Sequence, residues 1–373
     1  MIIKEVEDSR ASVEFLDVAR QLYKNDSNWV CPLDEDINAV FDPEKNNFHN
    51  HGTIARWVVK SDEGKLLGRI AAFINDNKAY QSEQPTGGVG FFECINDTET
   101  AELLFDTAQS WLLARGMKAM DGPINFGEND SFWGLLIEGF TTPSYGMNYN
   151  HKYYQKLFED YGFSTLYEQI TNHLEVNKPF PERFTKIATW VANKPGYTFE
   201  HLEASKLEKY AGDFAEIYND AWKNFANFVP LGINNVLETF NKMKIVMDEK
   251  LIWFAYINCE PASVIVMLPD ANQMIRGFNG KLGIIQKLQF VYKRWKGVKR
   301  MRAVVMGTKQ GFQKHGLESA LFIKLKEYVL PLKQYEELEL SWVGDFNDKM
   351  LAIHEATGAT FGKKHATMRK IFE

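Results

Sequence analysis

The chain is written twice, and no other feature limits its fold as much. Residues 56–75, RWVVKSDEGKLLGRIAAFIN, place two apolar β-type runs around a turn at Asp62-Glu63-Gly64, a hairpin pattern. Residues 251–268, LIWFAYINCEPASVIVML, repeat the shape, with the turn near Asn258-Cys259-Glu260-Pro261. Trp57 and Trp253 stand 196 positions apart (253 − 57), and so do Gly162 and Gly358 (358 − 162). Each of those glycines closes a short helix that leads into a strand, expected over Ser164–Glu175 and Lys364–Phe372. Matching offsets at well-separated points imply two copies of one α/β unit.

The length of 373 residues fits two domains at roughly 100–200 residues each. The first is expected over residues 1–178 and the second over 197–373. Residues 179–196 form the connection, with Pro179, Pro181 and Pro195 bracketing a helical repeat of Phe184, Ile187, Ala188 and Val191. In the first copy, residues 88–97 read as a strand and Asp97 as the cap of a helix carrying Leu104, Ala108 and Trp111 on one face. A second strand over 117–126 and a polar, aromatic loop, GENDSFWGLLIEGF, follow. In the second copy, residues 301–309 read as a strand, 317–330 as a helix, 338–343 as a strand, and a further helix starts at about Asn347.

Composition excludes several classes of function. A net charge of −6 speaks against a nucleic-acid partner. The three cysteines, Cys31, Cys94 and Cys259, are scattered and form no disulfide framework, which fits a reducing, cytoplasmic location. The eight histidines show no metal-ligand spacing, so no metal is expected. MIIKEVEDSR lacks the apolar core of a signal peptide, and no apolar run of about 18 residues is present to span a bilayer. Aromatic residues, at 14%, are abundant enough to line an apolar ligand site as well as two cores.

The order strand, glycine loop, helix, strand, Asn-led helix and terminal strand resembles the Gcn5-related N-acetyltransferase (GNAT) superfamily. The residues that carry the resemblance are VVMGTKQGFQKHGLESAL (304–321) and VGDFNDKMLAIHEATGA (343–359). The family's acyl-CoA loop, Q/R-x-x-G-x-G/A, is met at Gln313 and Gly316, with Glu318 at its last small position. A later family pattern, Asn with Tyr seven residues on and then glycine, is met at Asn347 and Gly358, with His354 in the tyrosine slot. The resemblance implies an α+β (mixed α/β) fold: two tandem GNAT-like domains, each a mostly antiparallel mixed sheet flanked by helices. It further implies an acyl-CoA-dependent N-acyltransferase using acetyl-CoA or a longer acyl-CoA.

The chemistry of such a site follows from elementary arguments. A helix starting at Leu317 leaves its first amides unpaired and partly positive, and a glycine at 316 lets a diphosphate approach them. Lys309 and Lys314 add positive charge, Glu318 opposes it, and Gln313, His315 and Asn347 complete the expected cofactor-binding set. An oxyanion donor is expected from the backbone near Val305 and Met306. An amine of ordinary pKa about 10.4 must lose a proton to attack, and the departing thiolate needs an acid, the role the resemblance gives to His354. In the first copy Phe158 fills the same slot and INDTETAEL replaces the phosphate loop, so this copy is expected to lack CoA binding and to frame the acceptor. Glu93 and Asp130 are its catalytic candidates, with Asn129, Tyr145 and Tyr149 nearby in sequence.

Residues 281–302, KLGIIQKLQFVYKRWKGVKRMR, hold eight basic residues and no acidic one. Ile284, Leu288, Val291, Trp295 and Val298 fall on one helical face. The segment is read as a peripheral contact with the inner face of a membrane, as a contact with CoA phosphates, or as a helix packed on the sheet with a solvated basic rim. Three functions are weighed: an N-acyltransferase acting on a small-molecule or lipid-like amine, of which the bacterial ceramide-synthase type is one version; a Fem-type aminoacyl transferase; and an acyl-CoA-binding module without turnover.

Overall fold

The computed structural model describes residues 1–81, 83–224 and 230–372. The first copy runs β1 (Ile2–Glu5), α1 (Ser9–Leu22), α2 (Asp34–Val40), β2 (Gly52–Lys60), β3 (Leu66–Asn75), α3 (Asp76–Ala79) and β4 (Thr86–Cys94). It continues through α4 (Thr98–Leu113), β5 (Ala119–Gly122), β6 (Leu135–Glu138), α5 (Tyr153–Asp160) and β7 (Ser164–Glu175). After α6 (Glu182–Ala192) the second copy runs β8 (Tyr197–His201), α7 (Leu207–Trp222), α8 (Ile233–Met243), β9 (Ile252–Ile257), β10 (Glu260–Pro269) and α9 (Ala271–Ile275). It ends with α10 (Ile284–Lys296), β11 (Arg300–Thr308), α11 (Leu317–Leu332), β12 (Glu337–Gly344), α12 (Asp348–Ala356) and β13 (Thr360–Ile371).

Element for element the two copies match, with one insertion in each. The separation is 196 at Trp57 and Trp253, widens to 214 at the ends of β4 and β11 (308 − 94), and returns to 196 at the starts of β7 and β13 (360 − 164). The second copy gained α10; the first gained the loop after β5 that carries β6. The two insertions cancel, which is why the repeat is legible at both ends of the sequence.

All thirteen strands form one sheet, in the order β1-β2-β3-β4-β5-β13-β7-β12-β11-β10-β9-β8, with β6 alongside β13. The copies exchange their last strands: β13 lies against β5 of the first copy and β7 against β12 of the second. The sequence division at 178 and 197 therefore marks two copies of a pattern within one continuous sheet. At the seam β7 and β13 pair with each other, and Lys363 on β13 reaches Glu339 on β12 at 2.9 Å, both buried.

Each copy buries both faces of its sheet. In the first, Leu104, Phe105 and Phe158 fill one face under α4 and α5, while Phe15, Ile37 and Val58 fill the other under α1 and α2. In the second, Phe184, Leu321 and Phe322 lie on the α6–α11 side and Phe214, Phe240 and Phe254 on the α7–α8 side. Apolar runs buried on both faces, such as Ile70–Ile74 of β3, are what such a two-sided sheet requires. The strand expected over 117–126 ends at Gly122, and the helix expected to stop at Pro331 runs on to Leu332. Proline in a last turn removes only a single amide.

Candidate functional site

In both copies a parallel strand pair opens. β4 and β5 form a ladder from Thr86 to Gly88, followed by one bond from the Ile124 amide to the Val89 carbonyl at 2.8 Å. β11 and β12 pair only from Arg300 to Arg302, and beyond those points the ladders end. Both outer strands carry a bulge just past the opening. In β4 the register against β3 slips around Phe91 and Phe92, and Phe91 takes a positive φ of 51°. In β11 the register passes from Ala303 to Val305, so Val304 has no partner on β10 and is exposed. A bulge in a splayed strand turns backbone amides into the opening, where a carbonyl oxygen accepts them. Val304, next to the expected donors Val305 and Met306, is the residue that the bulge leaves without a partner on β10.

The two openings differ at the helix that follows. In the first copy Asp97 caps α4, its carboxylate accepting from the Thr100 amide at 2.9 Å. That negative group occupies the place an anion would take. In the second copy Gly316 precedes α11 in the left-handed region, φ 76°, and no side chain caps the helix. Glu318, whose charge was expected to oppose a phosphate, is held by the Thr308 hydroxyl at 2.6 Å. Lys309 does not supply the expected free charge: it is buried and ion-paired to Glu216 and, at 3.0 Å, to Glu260. Gln313, Lys314 and His315 are exposed around the loop, and His315 Nδ1 lies 3.0 Å from the Tyr197 hydroxyl. Asn347 caps α12 by accepting from the Met350 amide. Leu317 is buried and anchors the helix.

A cavity of about 580 Å3 opens beside the bulge of the first copy. Trp29, Phe91, Phe126, Phe132 and Tyr149 give it aromatic walls, and Glu93 and Arg69 give it charge. Glu93 Oε2 accepts from the Tyr23 and Tyr154 hydroxyls, both at 2.8 Å, and Oε1 lies 3.5 Å from Arg69. Burial raises the pKa of Glu93, while Arg69 and the two phenols oppose the rise. Tyr23 and Trp29 come from the stretch between α1 and α2, which no motif had marked; only the three-dimensional fold carries them to β4.

Asp130 lines the same cavity, so Glu93 and Asp130 share one site. The loop that bears Asp130 is fixed to the second copy. Arg300 donates to the Thr142 and Pro143 carbonyls at 3.1 and 3.2 Å, and Asp270 accepts from the Tyr145 amide at 3.0 Å. The inserted loop thereby lines the cavity of the first copy while bonded to Arg300 and Asp270 of the second. On the second copy, the ring of Tyr218 on α7 stacks on Trp222, and Trp222 lies over Gly307 of β11.

His354 is not among the residues lining the cavity. It is buried on α12, and its Nδ1 lies 3.2 Å from the Asn172 amide nitrogen. Burial pushes its pKa down to about 4, so the imidazole is neutral at pH 7, which weighs against the acid role. His365, fully buried on β13 and bonded to the Asn148 carbonyl, is also pushed down to about 4. Both histidines must gain protons on unfolding in acid, so stability is complete above pH 6.5 and falls as pH drops towards 4. Each contributes up to about 3 kcal/mol across that window. Urea midpoints measured from pH 7 to 4 should decline accordingly, with a shallower slope in His354→Gln; a flat profile would show that neither ring is held neutral. Among the described residues, no cluster of His, Cys, Asp and Glu could hold a metal ion, and no helix is long and apolar enough to cross a membrane.

Paired openings, bulges and matching element order set the terms for comparison with known proteins. Over 99% of its length the chain superposes on a tandem GNAT protein from the clavulanic acid biosynthesis pathway, with a TM-score of 0.58, 12% identity and 98% of that protein covered. The chain has the tandem GNAT fold. A GNAT from Sphaerobacter thermophilus superposes on 99% of the chain with a TM-score of 0.54, 11% identity and 95% coverage. In sequence the chain is 28% identical to a protein of Caulobacter vibrioides (strain NA1000 / CB15N) called bacterial ceramide synthase, covering 95% of this chain and 94% of that protein. It is 26% identical to Protein YghO of Escherichia coli (strain K12), over 95% and 92%. No family model matches the chain. A GNAT-like acyltransferase fold is the level at which these similarities agree.

Proposed function

We propose that this tandem GNAT protein transfers an acyl group from a CoA thioester to the amine of a long-chain, lipid-like acceptor. The observation that carries the reading is the contrast between the two helix starts. The amides of α4 are capped by Asp97, whereas those of α11 are uncapped behind a left-handed glycine, with the nearby Glu318 held by Thr308. Such an amide cluster suits a diphosphate. The Val304 bulge would meet the thioester carbonyl in the opening beyond it. The first copy's cavity would take the acceptor, its size within the range of roughly 300–1,000 Å3 typical of small-molecule sites. Its aromatic walls suit an alkyl chain, and Glu93 and Asp130 suit a polar, amine-bearing head. The neutral amine attacks the carbonyl carbon, a C–N bond forms, the C–S bond breaks, and the nitrogen proton passes to a base. The full-length similarity to a protein called bacterial ceramide synthase supports this acceptor class.

The test is release of CoA thiol from palmitoyl-CoA and acetyl-CoA in the presence of long-chain amino alcohols or short amines. Thiol release is expected to require the long-chain amine. Tight thioester binding with no release on any amine would favour the second reading, a binding module, for which the neutral state of His354 speaks.

A further inference from the structure

α10 is the element the second copy has and the first lacks, so the repeated fold does not need it. It is seated by few groups. Phe290 is its one buried apolar side chain, and Arg294 forks onto the carbonyls of Val246 and Met247, each at 2.7 Å. Leu282 and Val298, just outside its ends, pack into the α6–α11 core. This seating turns the wider apolar face outward. Ile284 is 81% exposed, Leu288 68% and Trp295 82%, and Ile285, Val291 and Tyr292 are exposed with them. The expectation of a helix packed by its apolar stripe onto the sheet is therefore overturned.

Cations border this face. Lys281, Lys287 and Lys296 are exposed, and among the described residues none of them makes a salt bridge. Lys299 pairs with Glu336 at 2.9 Å, and Lys293 bonds the Arg276 carbonyl. A stripe of Ile, Leu and Trp between lysines is the pattern of a helix lying in a lipid interface: the apolar groups leave water while ammonium groups meet phosphate. A protein partner or a second copy would bury the apolar stripe equally well. It would not call for a bordering row of unpaired lysines on a chain of net charge −6.

We infer that α10 docks the protein on an anionic lipid bilayer, with Ile284, Leu288, Val291 and Trp295 inserted and Lys281, Lys287 and Lys296 on the headgroups. The inference rests on this helix alone and does not depend on the reaction proposed above. Its test is co-sedimentation of the full-length protein with vesicles of phosphatidylcholine alone or mixed with phosphatidylglycerol, from low to high salt. Binding to the mixed vesicles is expected, weakening as salt rises. Leu288→Asp/Trp295→Asp, both on the surface, should lower the partition at least about tenfold, and Lys287→Glu/Lys296→Glu should remove its salt-dependent part. No binding to anionic vesicles at low salt would overturn the inference, as would binding unchanged in Leu288→Asp/Trp295→Asp. It would equally be overturned by a dimer, seen by sedimentation velocity, that Leu288→Asp dissolves in a protein that ignores vesicles. Circular dichroism of each variant separates loss of the contact from loss of the fold.

Discussion

Gly316→Asp is expected to remove CoA thioester binding while the chain remains folded. The substitution puts in the second copy the kind of group that Asp97 supplies in the first, a carboxylate at the start of the helix. Aspartate is among the residues that tolerate the left-handed backbone at this position, φ 76°, and its Cβ, 3.1 Å from Val191 Cγ2, needs that side chain to give by a few tenths of an ångström. At ~5 Å and an effective dielectric constant of ~20, a carboxylate repels one phosphate charge by about 3 kcal/mol before screening, a loss of about 100-fold. Titration calorimetry with palmitoyl-CoA and acetyl-CoA gives the affinity, and circular dichroism the fold. An affinity equal to that of the unmodified protein would remove the α11 start as the diphosphate site.

The second large effect is expected at the seam. Lys363 is 2% exposed and Glu339 1% exposed, and they tie β13 to β12 across the intervening β7. Lys363→Met leaves the carboxylate buried, with Arg302 at 3.9 Å and His173 at 3.7 Å as its remaining partners. Removing one member of a buried pair typically costs about 3–5 kcal/mol, because the desolvated charge loses its partner. Lys363→Met/Glu339→Leu removes both charges and should recover most of that loss. Denaturant midpoints of the two variants decide the point, and a single variant within about 1 kcal/mol of the parent would contradict it. The same pair predicts an acid transition. Burial alone would raise the pKa of Glu339, but Lys363, Arg302 and Arg300 more than offset it and hold the group at about 2. Its contribution, complete above pH 4.5, is lost as pH falls towards 2, below the window set by the two histidines.

The outward turn of α10 shows how far periodicity carries. Ile284, Leu288, Val291 and Trp295 mark a helix face in the sequence, but the spacing is the same whether that face meets a core or water. The choice was made by Arg294 and Phe290, which hold the opposite side. Lys309 offers a similar case. Beside a glycine loop it reads as a phosphate ligand, yet Glu216 and Glu260, distant in sequence, take its charge. Tyr23 and Trp29 left no signal because aromatic residues between two helices are ordinary, and only folding sets Tyr23 against Glu93, with Trp29 stacked on that tyrosine.

The sequence by itself determined the duplicated unit, its hairpins, the helix starts at Asp97 and Gly316, and the position of the linker helix. These depend on neighbours within a few residues: turn chemistry, capping and the alternation of apolar side chains. The exchange of β7 and β13, the single sheet, the joining of Glu93 to Asp130, and the direction α10 faces were decided only by tertiary structure. Each depends on which surfaces meet between segments well separated in the chain, and two copies of one pattern are equally compatible with separate or exchanged last strands. Burial of both faces of one sheet, with Lys363 and Glu339 paired at its centre, is the arrangement the folded chain adopts.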